Sequence, residues 1–197
     1  NGAYFGIEQD ALGTYILNAR DMNLIEHLPA VIETGACSLK IEGRMKSIAY
    51  VATVVNAYRM ALDRYSAAPD EPLPAELSKE LDYASHRPYT AGFAFGDPGA
   101  GGQAPQSADY VSEAQISAVV LSYDAQAQTA YVEQRNRFAD GDVLSILSPG
   151  DIARTFTVRS IHNEAGETQQ TAPHPKQRLH IGCIEPVQAG DILRKIS

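Results

Sequence analysis

No stretch of this 197-residue chain approaches the roughly 20 consecutive apolar residues of a membrane-spanning helix, and no signal-peptide pattern opens it, so no membrane role is expected. Cysteine is almost as scarce. The two cysteines, Cys37 and Cys183, stand far apart in sequence with no CxxC or mixed Cys/His spacing. They fit a reducing compartment and supply no self-contained metal site, so no residue is assigned as a metal ligand. A basic surplus is missing too: 16 Lys and Arg against 24 Asp and Glu leave a formal charge of −8. Nucleic-acid binders usually show the opposite balance, so any contact with RNA must come from a local basic patch. Hydrolytic signatures are also lacking, for the sequence has no GxSxG elbow, HExxH helix or Cys/His signature. The chain opens on Asn1 rather than Met, and we expect a piece of a longer protein. What is present, 44% hydrophobic and 20% charged residues, is ordinary for a soluble globular protein and points to the cytoplasm.

Three regions differ in texture, and together they read as an α/β part followed by an all-β part. Residues 1–66 alternate strand-like and helix-like pieces. Thr14 to Asn18, entered at Gly13, reads as a strand, and a helix start is expected at Asp21. Pro29 suits a first helical turn, where its missing N–H would lack an intrahelical acceptor anyway, and Gly35 suits the C-terminal cap. "CSLKI", Cys37 to Ile41, follows as a second strand. Ser47 then caps a helix to about Tyr65, with Val51, Val54, Val55, Tyr58, Leu62 and Tyr65 expected as its buried stripe. This alternation argues for parallel strands with crossover helices. Residues 67–113 read as a Pro/Gly-rich linker and extended arm, in which "SHRPYTAGFAF" packs Tyr89, Phe93 and Phe95 onto a neighbour. Residues 114–197 carry the short runs "QISAVVLSY", "TAYVEQR", "DVLSILSP", "TFTVRSIH", "RLHIGCI" and "DILRKI", the spacing of a small antiparallel barrel or sandwich. Two of its turns, "FADGDVLSI" and "VQAGDILRK", echo one another, with Gly141 and Gly190 expected at positive φ.

The run "SLKIEGRMKS", Ser38 to Ser47, holds the candidate chemistry. Alternation along a strand puts Cys37, Leu39 and Ile41 on one face and Ser38, Lys40 and Glu42 on the other. A polar face is tolerated in a closed parallel barrel near its mouth, and such barrels carry their working groups on loops after the strands. Glu42, Arg44 and Lys46 lie in such a loop, and Asn18, Arg20 and Asp21 follow the earlier strand in the same way. Arg offers a bidentate fork and Lys a point charge, which suits an anionic or carboxylate-bearing ligand. Lys40 and Glu42 could equally pair with each other for structural reasons alone. Of the five histidines only His27 and His86 could approach this region, and each reads as a surface or packing residue.

The stretch from "EQDALGTYILNARD" through "CSLKIEGRMKS" to "MALDRY" resembles the collagenase-like peptidase family U32, and Leu39 to Arg44 is the most specific element. "SHRPYTAGFAFG" resembles that family's Arg-x-Tyr-Thr-x-Gly-Phe segment, and the β-rich tail is similar to its C-terminal domain. The resemblance implies two βα units of an incomplete TIM-type barrel in residues 1–66, then a small β-barrel similar to elongation factor Tu domain 2 in 114–197. It also implies an enzyme when the protein is whole. Members are labelled peptidases and some are linked to collagen degradation, while others take part in hydroxylating tRNA, ribosomal RNA or ubiquinone. Several hold an iron–sulfur cluster on four cysteines. The resemblance thus implies an iron–sulfur cluster as an open alternative for the full-length protein. Asn23 stands where one of those cysteines is expected, which either tells against a four-cysteine cluster or shifts a ligand elsewhere. Cys37 as a substitute is expected to be a buried structural thiol. No cofactor is therefore expected in this part of the protein.

These readings converge on Lys40, Glu42 and Arg44 as candidate catalytic residues, with Asn18, Arg20, Asp21 and Lys46 as candidate substrate-binding residues. RNA hydroxylation is favoured over proteolysis, with RNA or peptide as the substrate of the full-length protein. A third reading makes this part a structural or binding module without catalysis, its open barrel portion available for self-association.

Overall fold

The computed structural model describes residues 7–9, 13–16, 18–104, 114–152 and 154–196. Leu17 of the first expected strand and residues 105–113 of the expected linker lie outside them. The described chain divides into a mostly helical half and an antiparallel β half.

In the first half, β1 (Ile7–Gln9) and β2 (Thr14–Ile16) form an antiparallel hairpin. Asp21 opens a strand rather than the expected helix: β3 (Asp21–Met22) pairs in parallel with β4 (Tyr89–Thr90). A 3-10 turn at Ile25–His27 leads into α1 (Leu28–Glu33), where Pro29 sits in the first turn and Gly35, at φ 82°, follows the last one. The expected strand Cys37 to Ile41 does not form. Among the described residues no strand lies beside it, and an extended segment without a neighbour has no ladder to complete. Ser47 caps α2 (Ile48–Ala67) as expected, its hydroxyl accepting from Tyr50 N at 3.2 Å.

Two readings of this half need correction. The buried face of α2 is Thr53, Val54, Ala57 and Ala61, whereas Val51 and Val55 are 40% and 46% exposed. Small residues at i and i+4 let neighbouring elements approach closely, so size rather than hydrophobicity selected the packed side. Inside the expected linker lies α3 (Ala75–Asp82), which buries Leu77 and Leu81 against α2. Its three nearby prolines had masked a short helix, one that begins directly after Pro74. Further on, Tyr89 packs as expected, but Phe93 and Phe95 are 77% and 63% exposed.

The β half follows the sequence closely. Its strands are β5 (Ala114–Asp124), β6 (Thr129–Gln134), β7 (Phe138–Ala139), β8 (Val143–Leu147), β9 (Thr155–Thr157), β10 (Arg159–Asn163), β11 (Thr168–Gln169), β12 (Thr171–Ala172), β13 (Arg178–Gly182) and β14 (Ile192–Ile196). Eight of them form one antiparallel sheet in the order β11-β10-β13-β6-β5-β14-β8-β9, while β7 pairs with β12. Phe156 of the edge strand β9 shares one core with Ile161 of β10 near the other edge, so the sheet curls into a half-barrel. The echoing turns match bond for bond. Gly141 and Gly190 sit at φ 86° and 96°, and the carboxylates of Asp142 and Asp191 each accept from the backbone N–H three residues earlier at 2.9 Å.

Two polar clusters join the halves. Arg194 of β14, 2% exposed, donates to both oxygens of Glu80 on α3 at 2.6 and 3.3 Å, and to Ser145 and Thr53 hydroxyls. Burial pushes the Glu80 carboxyl up, and the Arg194 guanidinium only partly holds it down. Beside it, Asn56 of α2 donates to the carbonyls of Ser148 and Asp151 and accepts from Gly150 N, reading the tip of a β-half turn.

Candidate functional site

The charged loop after α1 does not stand alone. With β3, α1 and α2 it encloses a cavity of about 490 Å³. Leu24, Leu28, Val31, Tyr50, Val54 and Tyr58 supply apolar and aromatic wall, while Asp21, Lys40, Glu42, Arg44 and Lys46 carry the charge. An apolar pocket with a few convergent polar groups is the form that small-ligand sites usually take. Gly43 lets the loop lie close to α2, for a Cβ there would come within 3.0 Å of the Val51 side chain.

Each charged side chain has a distinct setting. Lys46 bridges Asp21 at 3.6 Å, donates to Ser85 O at 2.8 Å and lies over the Tyr50 ring. Asp21 also accepts from Arg87 N at 3.1 Å. These half-buried groups form a fixed corner. Lys40 and Glu42 pair at 3.2 Å in the open, so they do share one side of the chain. Glu42 Oε1 accepts from Arg44 N at 3.0 Å, and this bond, followed by Lys40, holds its carboxyl below the ordinary range. Both Glu42 oxygens are thus occupied in shaping the loop. Arg44 is exposed, and its guanidinium has no protein partner among the described residues.

Asn18 and Arg20 do not join this cluster. Asn18 Nδ2 donates to Ala104 O and Arg20 Nε to Gln103 O, so both tie β3's approach to a later strand of backbone. What the sequence reading missed is Arg87, whose backbone meets Asp21 and whose guanidinium donates to Ala19 O. The run "HRPYT" was the available signal, since β4 within it pairs with β3. His27 meets Phe95 edge-on, and His86 stacks on Tyr89 at 4.0 Å with Nδ1 2.6 Å from Arg87 O, so both act in packing.

The chain's own residues do not fit a four-thiolate cluster. Asn23 Oδ1 accepts from Ile25 N and from Tyr58 OH, each at 3.0 Å, and is committed to the turn before α1. Cys37 is exposed rather than buried, its segment lying outside any ladder that would have turned it to a helix. Cys183 is buried, and desolvation pushes its thiol up to about 11. Among the described residues no three His, Cys, Asp or Glu side chains converge as a metal site.

A helical layer with a charged-rim cavity, followed by a curled β unit, defines a two-part α/β and all-β protein. Sequence comparison then identifies both parts. The model of peptidase family U32 matches residues 3–104 and that of the family's C-terminal domain matches 112–194, so the chain belongs to peptidase family U32. It is 35% identical over 189 residues to the "tRNA hydroxylation protein P1" of Bacillus subtilis, covering 95% of this chain and 44% of that protein. The "tRNA hydroxylation protein P" of Escherichia coli is 34% identical over 173 residues, 87% of this chain and 37% of that protein. A Porphyromonas gingivalis protein named "Collagenase" is 28% identical over 92 residues, 46% of this chain and 22% of that protein. The chain thus spans less than half the length of these relatives. No helix of the described residues is long and apolar enough to cross a membrane.

Proposed function

We propose that this chain supplies part of the substrate site of an RNA-hydroxylating protein, with Arg44 as its anion-binding group. The observation that carries the reading is the exposed Arg44 fork, without a protein partner among the described residues, on the charged rim of a cavity with an apolar wall, beside the fixed Asp21–Lys46 corner. A planar guanidinium binds phosphate or carboxylate bidentately. Glu42 acts as a positioning residue, because its carboxylate holds the turn from which Arg44 projects. Lys40 pairs with Glu42 and adds a second positive charge nearby. The relatives named for tRNA hydroxylation supply the reaction class. In the whole protein the helical half would form two units of a TIM-type barrel, and the β half an accessory binding domain similar to elongation factor Tu domain 2. Such a protein would work in the cytoplasm.

The test uses the full-length protein and liquid chromatography–mass spectrometry of hydroxylated tRNA nucleosides. Arg44→Lys keeps the charge and loses the fork. Glu42→Gln removes the charge with little change of shape, which weakens the bond to Arg44 N and abolishes the ion pair with Lys40. Each is expected to lower hydroxylation at least about tenfold, the worth of one charge-assisted contact, with the melting temperature unchanged. Normal hydroxylation by both variants, or a melting shift large enough to explain the loss, overturns the assignment. The relative named as a collagenase motivates a second reading. Collagen cleavage by the full-length protein that is lost in both variants would establish it.

A further inference from the structure

The outer face of the half-barrel carries a feature that its fold does not require. His162 lies opposite His180, and His180 lies opposite Tyr131, in the registers of β10, β13 and β6. One row of ring side chains therefore crosses three adjacent strands. Their chain neighbours Ile161, Leu179, Ile181, Ala130 and Val132 are fully buried, so the row stands on the solvent side by the two-residue alternation of strands. His180 is exposed, and its ring stacks on Tyr131 at 4.7 Å and 26°. Cations flank the row. Arg178 precedes His180 by one pleat, and Lys176 stands at the entry to β13, on a turn fixed by Lys176 N donating to Gln134 O at 2.9 Å. Both line a shallow groove of about 510 Å³ with Asn163 and Glu164.

We propose that this face of the β half binds single-stranded RNA, unpaired bases extending the Tyr131–His180 stack while Lys176 and Arg178 take the phosphates. The proposal rests on the RNA reading above and assigns it a second, separate surface. Of the acidic groups on the face, Glu133 is paired with Arg135 at 2.9 Å, whereas Glu164, which accepts from Tyr131 OH at 2.7 Å, and Glu167, which accepts from Asn163 at 2.7 Å, have neutral donors and keep their charge. Lys176, Arg178 and Arg135 thus offset Glu133, Glu164 and Glu167, and the face is close to neutral where the chain as a whole carries −8. A protein partner would call for buried apolar anchors at the centre of the patch, whereas here the centre is rings with cations beside them. Every base presents a π-face, so such a platform holds unpaired nucleotides with little sequence preference.

Fluorescence anisotropy with a labelled, unstructured RNA of about 12 nucleotides tests the assignment on the whole chain. The wild-type chain is expected to bind it more tightly than the corresponding duplex. Tyr131→Ala combined with His180→Ala should weaken binding about tenfold or more, and Tyr131→Phe, which keeps the ring, should bind nearly as wild type. Lys176→Gln should weaken binding a few-fold and flatten the log Kd against log salt slope by about 0.7. Melting curves establish that each variant is folded; these side chains are outside the core. Undiminished binding by the folded double-alanine variant overturns the platform and leaves the Arg44 reading standing. Equal affinity for duplex, or for heparin, overturns it as well. No binding by the wild-type chain at low salt and about 100 µM protein also overturns it. Failure of the Arg44 reading is scored separately, by the hydroxylation assay on the full-length variants.

Discussion

The β half and the helical half close their backbone bonds in different ways. Eight strands of the β half pair with one another around a core that includes Phe138, Leu144, Ile146 and Leu193, all at most 1% exposed. The helical half has a smaller core, centred on Ile25, Ala57, Ala61 and Leu81. It leaves Met45 and Ile48 at 92% and 84% exposure, and its Cys37–Ile41 segment finds no ladder among the described residues. Order in the first case is self-contained, while in the second it leans on neighbours. The two charged pairs follow the same division. Arg194–Glu80 is buried where the halves meet, and Lys40–Glu42 is solvated on the cavity rim.

The largest effect should come from breaking the buried pair. Glu80→Ala leaves the Arg194 charge without its counter-ion in the seam, and urea unfolding should show a loss of about 3–5 kcal/mol. Replacing both residues, by Glu80→Leu with Arg194→Met, should recover most of that loss. A change below about 1 kcal/mol in Glu80→Ala would mean that water reaches the guanidinium and that the halves meet loosely. Next comes Asn56→Ala, which removes three hydrogen bonds to the 148–151 turn and should cost about 1–3 kcal/mol, with the β-half core unaffected. Equal loss of protection in the amide exchange of β13 would show that the seam supports the whole sheet.

The smallest effect is a pH dependence that belongs to the β half alone. Lys195 and the Ala139 N–H hold the Asp142 carboxyl below its ordinary value. A depressed acid stabilises the fold above its unfolded-state pKa, and that contribution disappears as pH falls through the folded value. Thermal melts across the acid range should therefore flatten in Asp142→Asn. An unchanged slope would assign the acid sensitivity to other carboxylates.

Legibility in the sequence followed how local each cause was. The β runs, the Gly141 and Gly190 turns and the Ser47 cap all depend on residues within a few positions, and each was readable. Helix α3 was hidden because Pro72 and Pro74 read as breakers, although Pro74 only precedes the first turn. The buried side of α2 has helical spacing at Val54, Ala57 and Ala61, but the small alanines do not stand out beside the larger Val51 and Val55, and the burial of Thr53 is matched by Arg194, 141 positions away. At the cavity, Asp21, Lys40, Glu42, Arg44 and Lys46 were legible from the charge at a strand-like end, and the structure gathers them. Asn18 and Arg20 shared that charge pattern but were drawn off by backbone carbonyls at Gln103 and Ala104. Arg87 needed knowledge of the β3–β4 pairing, which is a long-range fact.

Helix α2 has a further consequence. Tyr50, Val54 and Tyr58 are cavity wall, while Thr53 and Asn56 are fastened to the β half. Twenty residues at 1.5 Å rise make a strut about 30 Å long, and a regular helix cannot turn one face without turning the other. The far wall of the cavity is therefore anchored from behind, through a component that contributes no side chain to its charged rim. Trimming the β half away would detach a handle and also loosen the bearing on which the pocket is set.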